Sequence, residues 1–280
     1  PGTGPNAVAC SSDRAAFRSW SGDVAVFDGK KWQTLPKLPL ADEGQAYGTS
    51  VAVTPGGHVY AEASRRIAYF DGSAWSLLEL PGWKGPIGAI TVLDSGDVVV
   101  VGRGRVGLKT GTTFTSYDAG TWRDLAAVQG SSLADLWTVG QGGTVMKRAG
   151  GGWSRMATGT EAFLTGLYRC GPSCAWAWSG DPGRGYGRSA KAVFRWDGKG
   201  WSTASTGLSE PLLGIAGPGT EPRAATSDQI LRWTGSAWVE ELETSDLGPR
   251  YRRFVGICAT ASFLIAGDSR DGAIVRKLSP

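Results

Sequence analysis

Short apolar runs alternate with polar residues along the whole chain, and Gly, Asp and Ser separate one run from the next. Segments such as Val24-Ala-Val-Phe27 and Leu231-Arg-Trp233 have the period of two that is typical of strands with one buried face. The runs are only a few residues long, which favours strands over helices. The pattern therefore predicts an all-β protein built from many short strands.

A repeat organises these strands. Six copies of one unit, in which a tight Gly-containing turn leads to a large aromatic residue, end at Trp32, Trp75, Phe114, Trp153, Trp201 and Trp238. These anchors lie 43, 39, 39, 48 and 37 residues apart, within or close to the length of a four-stranded propeller blade. The turn Asp is expected to bond to its own backbone and the aromatic ring to fill the space between neighbouring sheets.

The repeat predicts a single β-propeller domain over residues 1–280. We label the strands of each blade A to D from the axis outward and count seven A strands but only six D strands. The expected fold is a seven-bladed propeller of four-stranded antiparallel blades, with a last blade that lacks its D strand. The expected blades span approximately 6–36, 47–80, 87–119, 122–158, 163–206, 211–243 and 253–280.

The repeat also resembles known propeller families. The turn Asp71-Gly-Ser-Ala-Trp75 and its equivalents resemble the degenerate Asp-box (BNR) repeats of sialidase-like propellers. The stretch from Leu133 to Lys147 is similar to blades of photosystem II assembly factor-like propellers. The resemblance implies a propeller across nearly the whole chain, but such blades occur in hydrolases, binding proteins and assembly factors alike, so it does not select a function.

The composition limits the classes of binding partner that we expect. The formal charge of +4 is small and the basic residues are scattered, so we expect no nucleic-acid partner. The longest apolar run is far shorter than the roughly 20 residues of a membrane span. The four cysteines lack the paired spacing of a zinc site and the chain has only 1 His, so we expect neither a metal site nor a cofactor. A monomer is the expected state.

The four cysteines are best explained as disulfides. Cys10 and Cys258 fall at near-equivalent positions on the first and last A strands, which are neighbours in a closed ring, so this bond is expected to join the two ends of the chain. Cys170 and Cys174 are then expected to clip the A–B hairpin of the fifth blade, although other pairings remain open. Disulfides indicate an oxidising compartment, and a secreted or cell-surface location follows, either periplasmic or extracellular.

Propeller topology puts the D–A and B–C connections on one face, which we call the loop face. The irregular segments 37–47, 81–86, 180–191 and 243–252 all fall on it, and varied loops on a regular scaffold usually carry binding. Aromatic and basic residues of this face are the candidate ligand-binding residues. They are Trp20, Trp83, Trp122, Trp178, Arg184, Tyr186, Arg188 and Tyr251.

No catalytic constellation stands out, so no catalytic residue is assigned. The single His58 is expected on the face opposite the loops, which argues against a Ser-His-Asp triad. The leading hypothesis is a non-catalytic recognition or scaffold propeller that binds a glycan or a protein through the loop face. The alternatives are a polysaccharide-acting glycoside hydrolase or lyase of sialidase-like architecture, and a structural component of a surface assembly.

Overall fold

A computed structural model describes the chain over 5–11, 13–19, 21–39, 50–63, 65–111, 113–179, 192–204, 210, 212–217, 219–243, 254–259, 263–268 and 272–277. These residues form antiparallel sheets in which each strand pairs with the next one along the chain. Such a meander needs only tight turns between neighbouring strands, which the repeated Gly-containing segments supply. Within the described ranges, no helix has the length and apolarity of a membrane-spanning segment.

Six sheets have four strands each, in the order A to D. Blade 1 contains β1 (Pro5–Ser11), β2 (Arg14–Ser19), β3 (Val24–Phe27) and β4 (Trp32–Thr34). Blade 2 contains β5 (Val51–Val53), β6 (Val59–Ala63), β7 (Arg66–Phe70) and β8 (Trp75–Leu78). Blade 3 contains β9 (Ile87–Val92), β10 (Val98–Gly102), β11 (Arg105–Thr110) and β12 (Thr113–Asp118).

The second half of the chain repeats the arrangement. Blade 4 contains β13 (Leu125–Ser132), β14 (Asp135–Gly140), β15 (Thr144–Ala149) and β16 (Gly152–Met156). Blade 5 contains β17 (Gly166–Gly171), β18 (Cys174–Trp178), β19 (Val193–Trp196) and β20 (Trp201–Ala204). Blade 6 contains β21 (Gly214–Ala216), β22 (Arg223–Ala225), β23 (Gln229–Trp233) and β24 (Trp238–Glu243). The C-terminal sheet contains β25 (Phe254–Ala259), β26 (Phe263–Asp268) and β27 (Gly272–Lys277).

The prediction of seven blades is wrong: the propeller has six four-stranded blades, and the remaining strands form the three-stranded C-terminal sheet. The repeat unit occurs six times, and in each complete blade its aromatic residue begins or lies within the D strand, directly after the turn. The seventh blade was expected from its A, B and C strands alone. The expectation of an all-β propeller with four-stranded antiparallel blades is confirmed.

The A strands surround a common axis. Each lies beside the A strands of its neighbours, and β1 of blade 1 contacts both β5 and the C-terminal β25. Together the A strands line an axial cavity of about 420 Å³ whose wall consists mostly of small side chains. The B, C and D strands follow outward, so the connections leaving this inner ring lie on the two faces of the disc.

The cores lie between neighbouring sheets, and the repeat aromatic residues fill them. Each of the six anchors packs in the same core as residues of the preceding sheet. In the core between blades 4 and 5, for example, the rings of Trp137 and Trp201 meet edge to face at 6.1 Å between centroids. The predicted role of these residues in packing is confirmed.

In blades 1, 2, 5 and 6, a side-chain oxygen closes the turn before the D strand. In blade 2, Asp71 Oδ1 accepts hydrogen bonds from the backbone N–H groups of Ser73 and Ala74 at 2.8 and 2.9 Å. These two bonds, with one from the Ser73 hydroxyl, lower the pKa of Asp71 to about 2. Asp28 and Asp197 make the equivalent pair of backbone bonds, and their pKa values are lowered for the same reason.

Two disulfides are present. Cys10 on β1 is bonded to Cys258 on β25, across 248 residues of sequence, so the first and last sheets are covalently joined. Cys170 and Cys174 close the A–B hairpin of blade 5. Both pairs agree with a disulfide-permitting, extracytoplasmic compartment, as expected from the sequence.

The Asp71 turn predicts a pH-dependent contribution to stability. The ordinary Asp pKa near 3.9 applies to the unfolded chain, and the folded value is about 2. The ionised carboxylate therefore stabilises the fold above about pH 4, and this stabilisation is lost as the pH falls through 2. We expect D71N to melt below the parent at pH 7 and the difference to shrink towards pH 2. A difference that stays constant over this range in thermal unfolding would contradict the assignment.

The two disulfides should stabilise the fold to different extents, because they close loops of different length. Chain entropy assigns about 5 kcal/mol to closing a loop of the Cys10–Cys258 size and about 2 kcal/mol to the short Cys170–Cys174 loop. In urea unfolding, the C10A/C258A variant should therefore lose more unfolding free energy than its matched control, C170A/C174A. Equal losses in the two variants would contradict the expected dependence on loop length.

Candidate functional site

The structure describes three of the eight candidate ligand residues. Trp122 lies in the D–A connection between blades 3 and 4, and Trp83 in that between blades 2 and 3. Trp178 ends β18, where the B–C connection of blade 5 begins. All three are therefore on the loop face. The other five fall outside the described residues, and their contribution stays a prediction: Trp20, Arg184, Tyr186, Arg188 and Tyr251.

Trp178 and Trp83 are packed against their own scaffold. Trp178 is only 7% exposed, and its ring lies over Gly166 on the paired A strand, where it also borders the axial cavity. Trp83 is half-buried, and its ring lies 2.7 Å from where a Cβ on Gly102 would be. In both cases a glycine leaves the space that the indole occupies. Neither ring is displayed as an open surface for a partner.

Trp122, in contrast, is exposed to solvent. It is 76% exposed, the highest value among the large apolar side chains of the described residues. The Arg123 guanidinium lies over its ring, with Cζ 5.5 Å from the ring centroid, within the range of a cation–π contact. Arg123 Nη1 also lies 3.4 Å from Glu161 Oε2 and donates to the Gln141 carbonyl at 3.4 Å. We call Trp122 and Arg123 the Trp122 ledge.

Glycine-containing B–C turns hold the ledge in place. The Gly104 N–H donates to the Arg123 carbonyl at 3.0 Å, and the Gly104 carbonyl accepts from the Ala119 N–H at 2.9 Å. A Cβ on Gly104 would collide with the Thr121 carbonyl, and one on Gly142 would overlap Arg123 Nη1. Both glycines also have positive φ, 64° and 62°. The sequence thus uses glycine where a neighbouring loop approaches most closely.

A surface groove lies next to the ledge. It has a volume of about 410 Å³ and is lined by Gly143 and by the segment from Arg155 to Glu161. Its loop is fixed by the bond from the Thr158 hydroxyl to the Gly143 carbonyl at 2.8 Å. Glu161 lines the groove and also faces Arg123, so ledge and groove form one continuous surface. Arg123 and this groove were not predicted from the sequence.

His58 lies apart from this surface. It precedes β6 in the A–B turn of blade 2, on the face opposite the loops, and its Nδ1 is 3.2 Å from the Tyr69 hydroxyl. Its ring meets Tyr69 edge to face at 5.7 Å. Across the described residues, no three His, Cys, Asp or Glu side chains are grouped as metal ligands. The described part of the loop face offers the ring of Trp122, the guanidinium of Arg123 and the carboxylate of Glu161 for binding.

Two charged side chains are buried between the sheets. Arg18 on β2 is fully buried, and Glu62 on β6 is 3% exposed. Burial lowers the pKa of the Arg18 guanidinium, while the negative charge of Glu62 acts in the opposite direction. Neither residue stands out in the sequence, because a single charge within a strand pattern ordinarily indicates a solvent-facing position.

No protein-family model matches the chain, and no curated protein is significantly similar to it in sequence. Solved structures share its fold. A catalytically inactive virginiamycin B lyase from Staphylococcus aureus, with quinupristin, matches at a TM-score of 0.79 and 14% identity over 99% of this chain and 96% of that chain. YCF48 bound to D1 peptide matches at 0.72 and 15% over 100% and 95%. The WD40 β-propeller domain of Doa1 matches at 0.75 and 13% over 99% and 93%.

Identities this low show a shared fold and nothing finer. The β-propeller part of the resemblance is confirmed, whereas no family model supports the Asp-box assignment. The neighbours include a protein bound to a peptide and a lyase, so the fold does not select between these functions.

The ledge geometry predicts a specific effect of G142A. A methyl group at this position takes the place of Arg123 Nη1, so the guanidinium should leave Glu161 and the Trp122 ring. The matched control is G150A, because Gly150 has a similar φ of 58° and nothing near its missing Cβ. Both variants should lose about 1 kcal/mol through the positive φ. Only G142A should shift the side-chain NMR signals of Arg123 and Trp122, and unchanged signals would disprove this contact.

Proposed function

We propose that the chain is a non-catalytic recognition propeller that binds a protein or peptide partner through the loop face, with the Trp122 ledge as its anchor. The observation that carries the proposal is the 76% exposure of Trp122 on loops held by backbone hydrogen bonds. Binding a partner costs conformational entropy, because side chains at the interface lose rotational freedom. A side chain that is already held in place has little of this entropy left to lose.

The chemistry of the surface supports a protein partner. Trp and Arg are the residues most enriched among the energetic centres of protein interfaces, and here they are stacked on each other. The groove beside them, at about 410 Å³, has room for a side chain or a short peptide segment. The Arg123–Glu161 pair is at the surface and contributes little to stability, so its groups are available to a partner at low cost.

A glycan is the second candidate, because a flat exposed ring with hydrogen-bonding groups at its edge also suits stacking on a sugar. A lyase is less well supported. The inactive lyase neighbour carries alanine in place of a histidine. The only histidine of this chain, His58, is bonded to Tyr69 on the opposite face. A secreted or surface location, with no nucleic acid partner, remains part of the proposal.

The test is a binding screen of the purified chain against a displayed peptide library and a glycan array. The parent, W122A and the control V239A are compared, since Val239 is also exposed but lies on the outer strand β24 of blade 6. W122A should weaken selected peptides by about 30-fold or more, the loss expected for an interface centre, and V239A should not. Peptides that bind W122A as well as the parent would place the site elsewhere, and selective glycan binding would favour the second candidate.

A further inference from the structure

Arg123 of the Trp122 ledge makes the longest arginine–carboxylate contact in the described part of the chain. Its Nη1 lies 3.4 Å from Glu161 Oε2, whereas the other three pairs have N–O distances of 2.7, 2.9 and 3.0 Å. The same Nη1 donates to the Gln141 carbonyl, and Nε and Nη2 bond to no residue that the structure describes. The guanidinium therefore has donors left for a further acceptor.

The two side chains of this pair differ in how firmly they are held. The Arg123 side chain is 24% exposed and lies over Gly142 and the Trp122 ring, whereas the Glu161 side chain is 80% exposed. An exposed ion pair contributes little to stability, so Glu161 can turn into solvent at little cost while Arg123 stays in place. Glu161 thus occupies Arg123 without closing it to another carboxylate.

The charged side chains around the ledge favour a negative partner. On the ledge connection, the neighbouring B–C turn of blade 3 and the groove, Arg105 and Asp118 are bonded to Ser116 and to the Gly120 N–H. The remaining charged residues are three arginines and two carboxylates: Arg103, Arg123, Arg155, Asp124 and Glu161. When Glu161 turns away, three cations remain beside one carboxylate, and charge complementarity then selects acidic partners.

A carboxylate matches the free donors better than other anions do. The planar guanidinium fork binds a carboxylate through two parallel N–H···O bonds, and Glu161 contacts only one of its nitrogens. A carboxylate that engages two nitrogens therefore replaces a single long contact with two bonds. A group with two negative charges is less suitable, because the exposed Asp124 follows Arg123 directly in the chain.

We propose that the partner of the Trp122 ledge presents an acidic segment, in which one carboxylate displaces Glu161 from Arg123 and a neighbouring apolar side chain covers the Trp122 ring. This proposal rests on the partner recognition proposed above and adds the chemistry of the partner. Glu161 acts as an internal competitor that holds the guanidinium until the partner binds. Arg103 and Arg155 attract further acidic residues of the same segment.

The test begins with two displayed peptide libraries that differ only in their charged residues, which are Asp and Glu in one and Lys and Arg in the other. The parent should enrich peptides from the acidic library alone. An enriched peptide is then synthesised with each acidic residue changed in turn to its amide. One of these changes should weaken binding to the parent about tenfold or more, and the same change should have little effect on binding to R123Q, because its partner group is already absent.

A second measurement uses the competitor itself. E161Q should bind the acidic peptide about 2- to 5-fold more tightly than the parent, because the competing carboxylate is lost. The matched control is E79Q, which removes the same charge from the exposed pair with Arg66 on the preceding D–A connection. E79Q should leave the affinity nearly unchanged.

The outcomes separate this proposal from the recognition function on which it rests. Enriched peptides that need Trp122 but carry no acidic residue would overturn the acidic partner and leave recognition by the ledge standing. An E161Q variant that binds no more tightly than E79Q would overturn the competitor role of Glu161. Acidic peptides that bind W122A and R123Q as well as the parent, or no enrichment from either library, would contradict both proposals.

Discussion

The packing of one sheet against the next is the interaction on which the rest of the structure depends. Each sheet is only three or four strands wide, and its two faces are buried by its neighbours. The aromatic residue in each D strand supplies much of the buried area, reaching towards the preceding sheet as Trp238 reaches Trp176 at 5.4 Å between ring centroids. Because this contact recurs between successive sheets, no single sheet is stable alone and the ring forms as a unit.

Ring closure then decides where loops can vary. The tight turns on the A–B and C–D face are fixed by the repeat, whereas the D–A connections pass between blades. They are tied to the B–C turns of the same face, as in the bonds from Gly104 to Arg123 and from Gln141 to Asp124. A side chain on such a connection, such as Trp122, is exposed to solvent while its backbone is held in place by these hydrogen bonds. The scaffold therefore holds an exposed loop residue in a fixed position.

The features that repeat along the sequence could be predicted from it, whereas the side-chain positions that depend on contacts between blades could not. The aromatic spacing was sufficient for the propeller and the packing role of Trp201 and its equivalents, and strand equivalence was sufficient for the Cys10–Cys258 bond. The place of Arg123 was not predictable, because it depends on Gly142, which belongs to the next blade. Trp178 was predicted on the correct face, but not its burial. The ring is buried because the paired residue on the neighbouring strand is Gly166, and this pairing is known only from the structure.

One row of the B strands shows how a regular scaffold accommodates buried charge. Arg18, Val101, Val139 and Trp178 each pair with a small A-strand residue that lines the axial cavity, and Glu62 bonds to Ser50 in the same way. All five side chains face the following blade. Where the row is apolar, it closes the space between sheets. Where it is charged, in blades 1 and 2, the two residues have opposite charges, whereas valine fills the same position in blades 3 and 4. Since a buried charge destabilises the fold unless it is matched, the two charges support each other: the negative charge of Glu62 favours the charged form of the Arg18 guanidinium and opposes the effect of burial on its pKa.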